Sequence, residues 1–501
     1  MQSSILDYLD KAAKRWPGRV AYCDEHESIT FAKVLDECNR IGSTLCSITP
    51  PGRPILVLAG KGIHVPSLYL GVAAAGCFYI PLDIELPVQR IKTILGIAQP
   101  EIILTDNDIN VSTELGFSGR VVTLGECLAK KPDVNTLSEC RRGLIDVDPL
   151  YVLFTSGSSG VPKGVVTAHR SVIDYIDVFA KTFRICSEDV FGNQAPLDYV
   201  AAIRDIYLPL HTGAKTVLIP KTLFSTPKQL FEYLNINNIT TLCWVAPALS
   251  MCSEFGVFDE VSLESVTNVF FTGSVMPCKH LKVWQKNLPS ALFVNHYGPT
   301  EITASCSYYT VNHLVSETEN LPIGRPFENT DMFLLSDTGG EVPQGETGEI
   351  CVRGTCLALG YYKDRAKTDE SFIDNPLNTV YPGKIYKTGD LGCIDSDDVI
   401  HFRGRLDSQI KHMGHRVELG EIEAAALALR GMDRVCCLFH EEKSQICIFY
   451  TGTASKREVA VHLRERLPGY MIPRRFDKLE ELPLLPNGKT DRGALKVRMG
   501  K

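Results

Sequence analysis

The chain has no apolar run long enough to cross a bilayer: its most apolar stretch, residues 68–82, contains two glycines and Pro81. No basic region precedes an apolar segment in residues 1–8, so a signal peptide is not expected and a cytoplasmic protein is. An excess of positive charge is also missing. Lysine plus arginine number 52 against 59 aspartate plus glutamate, a net charge of -7, which gives no footprint for nucleic acid. The 17 cysteines are odd in number, and no Cys-x-x-Cys pair suggests zinc or a redox motif. Free thiols packed as small apolar side chains are expected. Low complexity and internal repeats are absent too. Small molecules or another protein remain as the expected partners, with no membrane and no nucleic acid.

What is present is globular. Hydrophobic residues at 44% and charged residues at 22% are ordinary, and 501 residues allow roughly two to four domains. Short apolar runs of strand type alternate with helical patterns at residues 55–59, 101–104, 151–154, 216–219 and 269–271, which predicts an α/β architecture with much parallel sheet. After about Ile323 the pattern changes to glycine-punctuated strands, residues 331–335 and 348–354, as in an antiparallel or barrel-like subdomain. Near Asp407 it changes again, to helix, apolar strand and helix. The expectation is a large, multi-subdomain α/β domain over residues 1–406 and a small, mobile α+β domain over 407–501.

Five segments carry chemistry. The first, residues 151–164, YVLFTSGSSGVPKG, is a buried strand running into a hydroxyl- and glycine-rich loop. Backbone amides freed by glycine, hydroxyls and one lysine suit a polyphosphate. It is not a Walker loop, because Gly157 and Gly160 are three apart and Lys163 is followed by Gly164. The second, residues 295–301, NHYGPTE, combines an aromatic face, a tight turn and a carboxylate, which suit adenine and a magnesium ion. The third, residues 386–390, YKTGD, places a carboxylate after a glycine turn, suited to a ribose diol. The fourth runs from Gly404 through Gly414 to Glu423, and the fifth, residues 485–492, LPNGKTDR, is a turn presenting one lysine.

In this order the five segments resemble the adenylate-forming superfamily: acyl-CoA synthetases, luciferases and peptide-synthetase adenylation domains. The resemblance extends from residues 28–31 and 73–83 to Lys489, and is nearest to peptide-synthetase adenylation domains and D-alanine:carrier-protein ligases. It implies a ligase that converts a small carboxylic acid and ATP into an acyl-adenylate and pyrophosphate. The acyl group would then pass to the phosphopantetheine thiol of a carrier protein. By the same resemblance Thr155, Ser156, Gly157, Ser158, Ser159, Gly160 and Lys163 would hold phosphates. Tyr297 would stack on adenine beside Asn295 and His296, and Asp390 and Arg405 would hold the ribose. Glu301, beside Thr300, would ligate Mg2+, Asp407 would be a hinge, Lys489 would be catalytic, and Gly414 would border the thiol's tunnel. Rival readings are an acyl- or aryl-CoA ligase and a nucleotide-binding protein without catalysis. No carrier domain follows Lys489, as in a stand-alone ligase or an excised domain.

One departure matters. Family members that select α-amino acids present an aspartate to the ammonium five residues before an acidic residue that opens a helix. Here Asp205 sets that register and Val200 occupies the position, while Asp198 lies two residues upstream. The remaining pocket positions by resemblance are Ala201, Arg204, Trp244, Phe270, Thr272, His296, Ala304 and Ser305. Trp244 and Phe270 are expected to wall a small cavity. Arg204 either meets a substrate carboxylate or hydroxyl, or pairs internally with Asp198 or Asp205.

Overall fold

The structure is a computed structural model, and it describes residues 2–106, 114–157, 160–441, 443–485 and 490–499. The chain divides into two compact units. One comprises residues 1–84, 100–153 and 164–406; the other comprises 85–99, 154–163 and 407–501.

The first unit is built on two large sheets. Nine strands form one, in the spatial order Arg325–Pro326, Ser307–Thr310, Leu292–Tyr297, Asn268–Thr272, Thr241–Val245, Val190–Asn193, Lys215–Leu218, Val20–Cys23 and Ser28–Thr30. Its six middle strands pair in parallel, with antiparallel strands at both edges. The central strands are buried on both faces, as crossover helices require. The seven-stranded sheet contains parallel strands Phe78–Asp83, Pro54–Ala59, Ile102–Thr105 and Arg120–Thr123.

The largest apolar core draws residues from both sheets and from helices Leu6–Arg15, Phe31–Cys46, Val65–Ala74, His169–Phe183 and Ile203–Thr212. Helix Val65–Ala74, from the most apolar stretch of the sequence, is buried at all ten residues, so its all-round hydrophobicity reflects a core helix. The other face of the nine-stranded sheet packs on helices Pro227–Ile236, Ala246–Glu254 and Cys278–Asn287 as a separate core. A five-stranded antiparallel sheet, Thr330–Leu335, Thr347–Gly354, Lys384–Ile394, Phe372–Asp374 and Ile400–Arg405, completes this unit.

The second unit contains the hairpin Gln409–His412 with His415–Glu418 and a three-stranded sheet of Met432–His440, Gln445–Gly452 and Arg475–Lys478. Helices Leu419–Leu427 and Lys456–Arg464 pack there. The latter opens with a reciprocal capping box between Ser455 and Glu458. No helix among the described residues is long and apolar enough to cross a membrane.

Candidate functional site

Strand Leu292–Tyr297 organises the first unit's chemistry, because successive side chains leave a strand on opposite faces. Tyr297 lies in the core under the antiparallel sheet, and its hydroxyl donates to Asp390 Oδ2 at 2.5 Å. Asp390 and Arg405 face each other across neighbouring strands, and the Arg405 guanidinium binds Asp390 Oδ1. Thr388 fixes the turn: its hydroxyl donates to the Ile350 carbonyl and accepts from the Asp390 amide. Both oxygens of a nearly buried carboxylate are thus held. Burial, then the Asp390 charge, raises the Tyr297 phenol well above its ordinary pKa, so it remains a donor. Asn295 gives its Nδ2 to the Pro322 carbonyl at 2.8 Å, which leaves its Oδ1 as the group suited to a base edge.

Gly298 begins a tight loop in which a Cβ would stand 2.6 Å from the Ala304 carbonyl oxygen. Thr300 and Glu301 form one short turn with Ile302, and the next two residues, Thr303 and Ala304, both have positive φ, 58° and 73°. Two successive non-glycine residues in the left-handed region store strain. The Thr303 hydroxyl, donating to the Cys356 carbonyl, helps to hold it. Glu301 is fully buried; its Oε1 accepts from the Tyr361 hydroxyl at 2.8 Å and its carbonyl accepts from the Ala358 amide.

His296 points to the opposite face, among Phe179, Phe183, Phe270 and Phe327, with ring centroids 5.3 to 6.0 Å away. Burial, then the charge of Arg204, pushes its pKa well below the ordinary value, so the ring is neutral, and neither nitrogen has a partner among the described residues. Arg204, in the first turn of helix Ile203–Thr212, is 1% exposed. Its guanidinium carbon lies 5.8 Å from the Phe179 ring centre, and Nε and Nη1 have no partner. Burial opposes its charge, but Tyr175, Cys243 and Asp205 outweigh that and raise its pKa. Val200, Ala201, Phe270 and Ala304 belong to the same core, and the Tyr175 hydroxyl donates to Ser305 Oγ at 3.5 Å. Thr272 is two residues beyond Phe270 on the same strand, hence on the same face.

Two pocket expectations are revised by these contacts. Trp244 does not wall a cavity with Phe270. Phe270 is the ladder partner of Cys243 and shares its core, whereas Trp244 pairs with Phe271 on the other face, where its Nε1 donates to the Gly192 carbonyl at 2.8 Å. The residue beside Phe270 is therefore Cys243. Arg204 does not pair internally: Asp205 receives Asn193 Nδ2 at 2.6 Å, Asp198 Oδ2 receives the Asp83 amide at 3.1 Å, and no described carboxylate forms an ion pair with Arg204. Sequence reading also missed Tyr175, Phe179 and Cys243. Only the pairing register puts Cys243 beside Phe270, and neither it nor the two helix residues had a signal in the sequence.

In the second unit, Gly160 at φ 82° closes a turn in which its amide donates to the Gly157 carbonyl. A side chain on Gly157 would collide with the Val161 carbonyl at 1.9 Å. Ser156 Oγ donates to the Arg416 carbonyl, Thr155 Oγ1 is buried without a partner, and the Lys163 charge acts on Glu418. Gly414 has φ 82°, at the turn of the 409–418 hairpin, and Asp407 Oδ1 accepts from the Gln409 amide. Ser158, Ser159 and Lys489 lie outside the described residues.

The model of the AMP-binding enzyme family matches residues 9–362. The chain belongs to that family. Tyrocidine synthase 1 of Brevibacillus parabrevis is 29% identical over 98% of this chain, which spans 45% of that protein. The D-alanine--D-alanyl carrier protein ligase of Bacillus licheniformis is 28% identical over 98% of this chain and 99% of its own length. Among solved structures, holo-PA1221, an NRPS protein containing adenylation and PCP domains, superposes with a TM-score of 0.84 at 23% identity, covering 99% of this chain and 84% of that one. The chain thus spans under half the length of the synthase it matches and nearly all of the ligase. Tyr297, bonded to Asp390, and the phenylalanines around His296 lie in separate cores of the first unit.

A metal has no all-protein site here, since no group of three or more His, Cys, Asp or Glu residues among those described converges on one point. A single buried carboxylate, Glu301, fits a magnesium ion that arrives with phosphate oxygens, because such ions keep most ligands from substrate and water.

Proposed function

We propose that this AMP-binding enzyme is an adenylate-forming ligase of the kind that loads carrier proteins. In the first half-reaction a carboxylate oxygen of a small acid attacks the α-phosphorus of ATP, the bond to the β-phosphate oxygen breaks, and pyrophosphate leaves. In the second, the sulfur of a phosphopantetheine thiol attacks the acyl carbon, AMP leaves, and the thiol proton goes to solvent or a base. The observation that carries the reading is the triad: a buried carboxylate and a guanidinium on neighbouring strands of one sheet, joined to an aromatic phenol from another sheet, in a chain that belongs to this family.

Asp390, fixed at both oxygens, would present a set geometry to the ribose hydroxyls. Tyr297 would offer its ring to the base, and Asn295 Oδ1 would accept from an exocyclic amine. Glu301 would hold a magnesium ion, which supplies positive charge to the phosphates. The loop at residues 155–163 would give its amides and Lys163 to the β- and γ-phosphates. Lys489 is assigned the charge that meets the developing negative charge at the α-phosphate.

The acyl acceptor proposed is a carrier protein. Its support is the 99% coverage of the carrier-protein ligase relative. The test is ATP–pyrophosphate exchange over a panel of carboxylic acids, followed by thiol loading with a carrier protein and, separately, with coenzyme A. Lys489→Ala is expected to lower exchange at least a hundredfold, since one such contact contributes about 3–4 kcal/mol. ATP binding, measured by calorimetry, should be nearly unchanged. Equal exchange rates in mutant and wild type would remove Lys489 from the reaction, and loading of coenzyme A in preference to every carrier would overturn the acceptor.

A further inference from the structure

We infer that the acid taken by this enzyme carries a second carboxylate, and that Arg204 receives it. The inference rests on the ligase reading above and narrows its substrate to dicarboxylic acids. Arg204 is 1% exposed, and its Nε and Nη1 have no hydrogen-bond partner among the described residues. A guanidinium cannot shed its proton, so unlike a lysine it cannot escape burial by becoming neutral. A buried charge is stable only when paired.

Of the carboxylates near it in sequence, Asp205 accepts from Asn193 Nδ2 at Oδ2 and leaves Oδ1 without a hydrogen-bond partner among the described residues, and Asp198 Oδ2 accepts from the Asp83 backbone amide; neither forms an ion pair with Arg204. Around the guanidinium lie the Phe179 face, the Tyr175 phenol, the Cys243 thiol and the neutral His296 ring; the charge of Asp205 also acts on it, but no described carboxylate forms an ion pair with it. His296 adds two more unpartnered nitrogens, one of which carries a proton to donate. An unpaired guanidinium fork beside an imidazole donor matches a planar anion with several lone pairs. A carboxylate fits both the charge and the bidentate geometry. An amide or hydroxyl would meet the hydrogen bonds and leave the charge unanswered. Tyr297, which is bonded to Asp390 and through it to Arg405, belongs to a different core from Phe179 and Cys243, so the guanidinium is not the group assigned to the nucleoside.

The experiment uses the full chain and two readouts. Succinate, glutarate and adipate are compared with their monoamides and with monocarboxylates of equal length. Each acid is tested for ATP–pyrophosphate exchange and, without ATP, for binding by calorimetry, in wild type, Arg204→Met and Arg204→Lys. A dicarboxylate is expected to exceed its monoamide about a hundredfold in the exchange specificity constant, and Arg204→Met should abolish that margin. Arg204→Lys, which keeps the charge and loses the fork, should keep part of it, and it serves if the methionine variant fails to fold. Dicarboxylate binding that depends on Arg204, with no exchange from any acid, would sustain this inference and defeat the ligase reading. Exchange that is fastest with an uncharged or monocarboxylic acid would sustain the ligase and overturn the inference. Absence of dicarboxylate binding, or binding indifferent to both substitutions, would overturn it as well.

Discussion

At Val200 the side chain decides which head group the acid can carry. Val200 is 7% exposed and belongs to the same core as Phe270 and Ala201. An α-ammonium held there would lose its hydration against an isopropyl group, and an uncompensated charge of that kind costs roughly 3–5 kcal/mol. The Arg204 guanidinium in the same region repels a second cation. Asp198 offers no rescue in its present position: its Oδ2 accepts from the Asp83 amide, and burial, then the charge of Asp83, raises its pKa to about 6. The preferred substrate is therefore expected to lack a conventional α-ammonium, so that within the dicarboxylic class inferred above a hydroxy, keto or aromatic acid is favoured over an amino acid. Exchange measured over matched amino and deamino acids should favour the deaminated partner about a hundredfold or more. Val200→Asp should erode or reverse that preference. A clear preference of the wild type for an ordinary α-amino acid would show the pocket to be misread, and loss of such activity on Asp198→Ala would identify the residue responsible.

Between elements, close approach governs. Helices Phe31–Cys46 and Val65–Ala74 meet at Gly71, where a Cβ would stand 2.4 Å from Ile41 Cγ2. Gly71→Ala must displace a β-branched side chain in a packed core, and overpacking of this kind costs roughly 1–3 kcal/mol. Gly96, on helix Val88–Ala98, has nothing within 4 Å of an added Cβ, so Gly96→Ala should gain helix propensity, on the order of 0.5–1 kcal/mol. Opposite shifts in melting temperature are the expected outcome, and a rise for both would refute the tight crossing. The same scale explains what could be read in the sequence. Apolar runs placed the strands around residues 55–59, 151–154 and 269–271 because parallel strands are buried on both faces. That property also misplaced Trp244: all five residues of Thr241–Val245 are buried, so no polar alternation marks which side faces Phe270. Pairing register settles it, and register is a long-range fact. The unpaired state of Arg204 was hidden for a similar reason, since Asn193, at the end of strand Val190–Asn193, binds Asp205 on helix Ile203–Thr212. Ordered motifs, in contrast, carried the family, because the triad's members each sit in a short local segment that can be read without knowing the fold.

For the whole molecule, the chain passes into its second unit for the last time between Leu406 and Asp407, after two earlier segments, 85–99 and 154–163, have already joined that unit. The sequence change near Asp407 locates this last crossing and not the two earlier ones, because a short segment grouped with a distant part of the chain carries no change of composition. We propose that Asp407 is the hinge on which the two half-reactions exchange. The adjoining geometry is local: the Leu406 amide donates to the Gly389 carbonyl, and the Asp407 carboxylate accepts from the Gln409 amide. Asp407→Pro would fix φ near -65°, remove one amide and restrict Leu406 before it. A hinge frozen in this way traps one arrangement, as in other domain motions where a few residues absorb the backbone change. Adenylation, read by pyrophosphate exchange, should survive better than thiol loading, read by transfer to a carrier protein. A fall of both by the same factor would mean that the substitution damages folding or the nucleotide site. No change in either would mean that the backbone at Asp407 does not move during the reaction. Only the split between the two rates marks a hinge, and single-turnover loading from preformed adenylate isolates the step that the proline is expected to block.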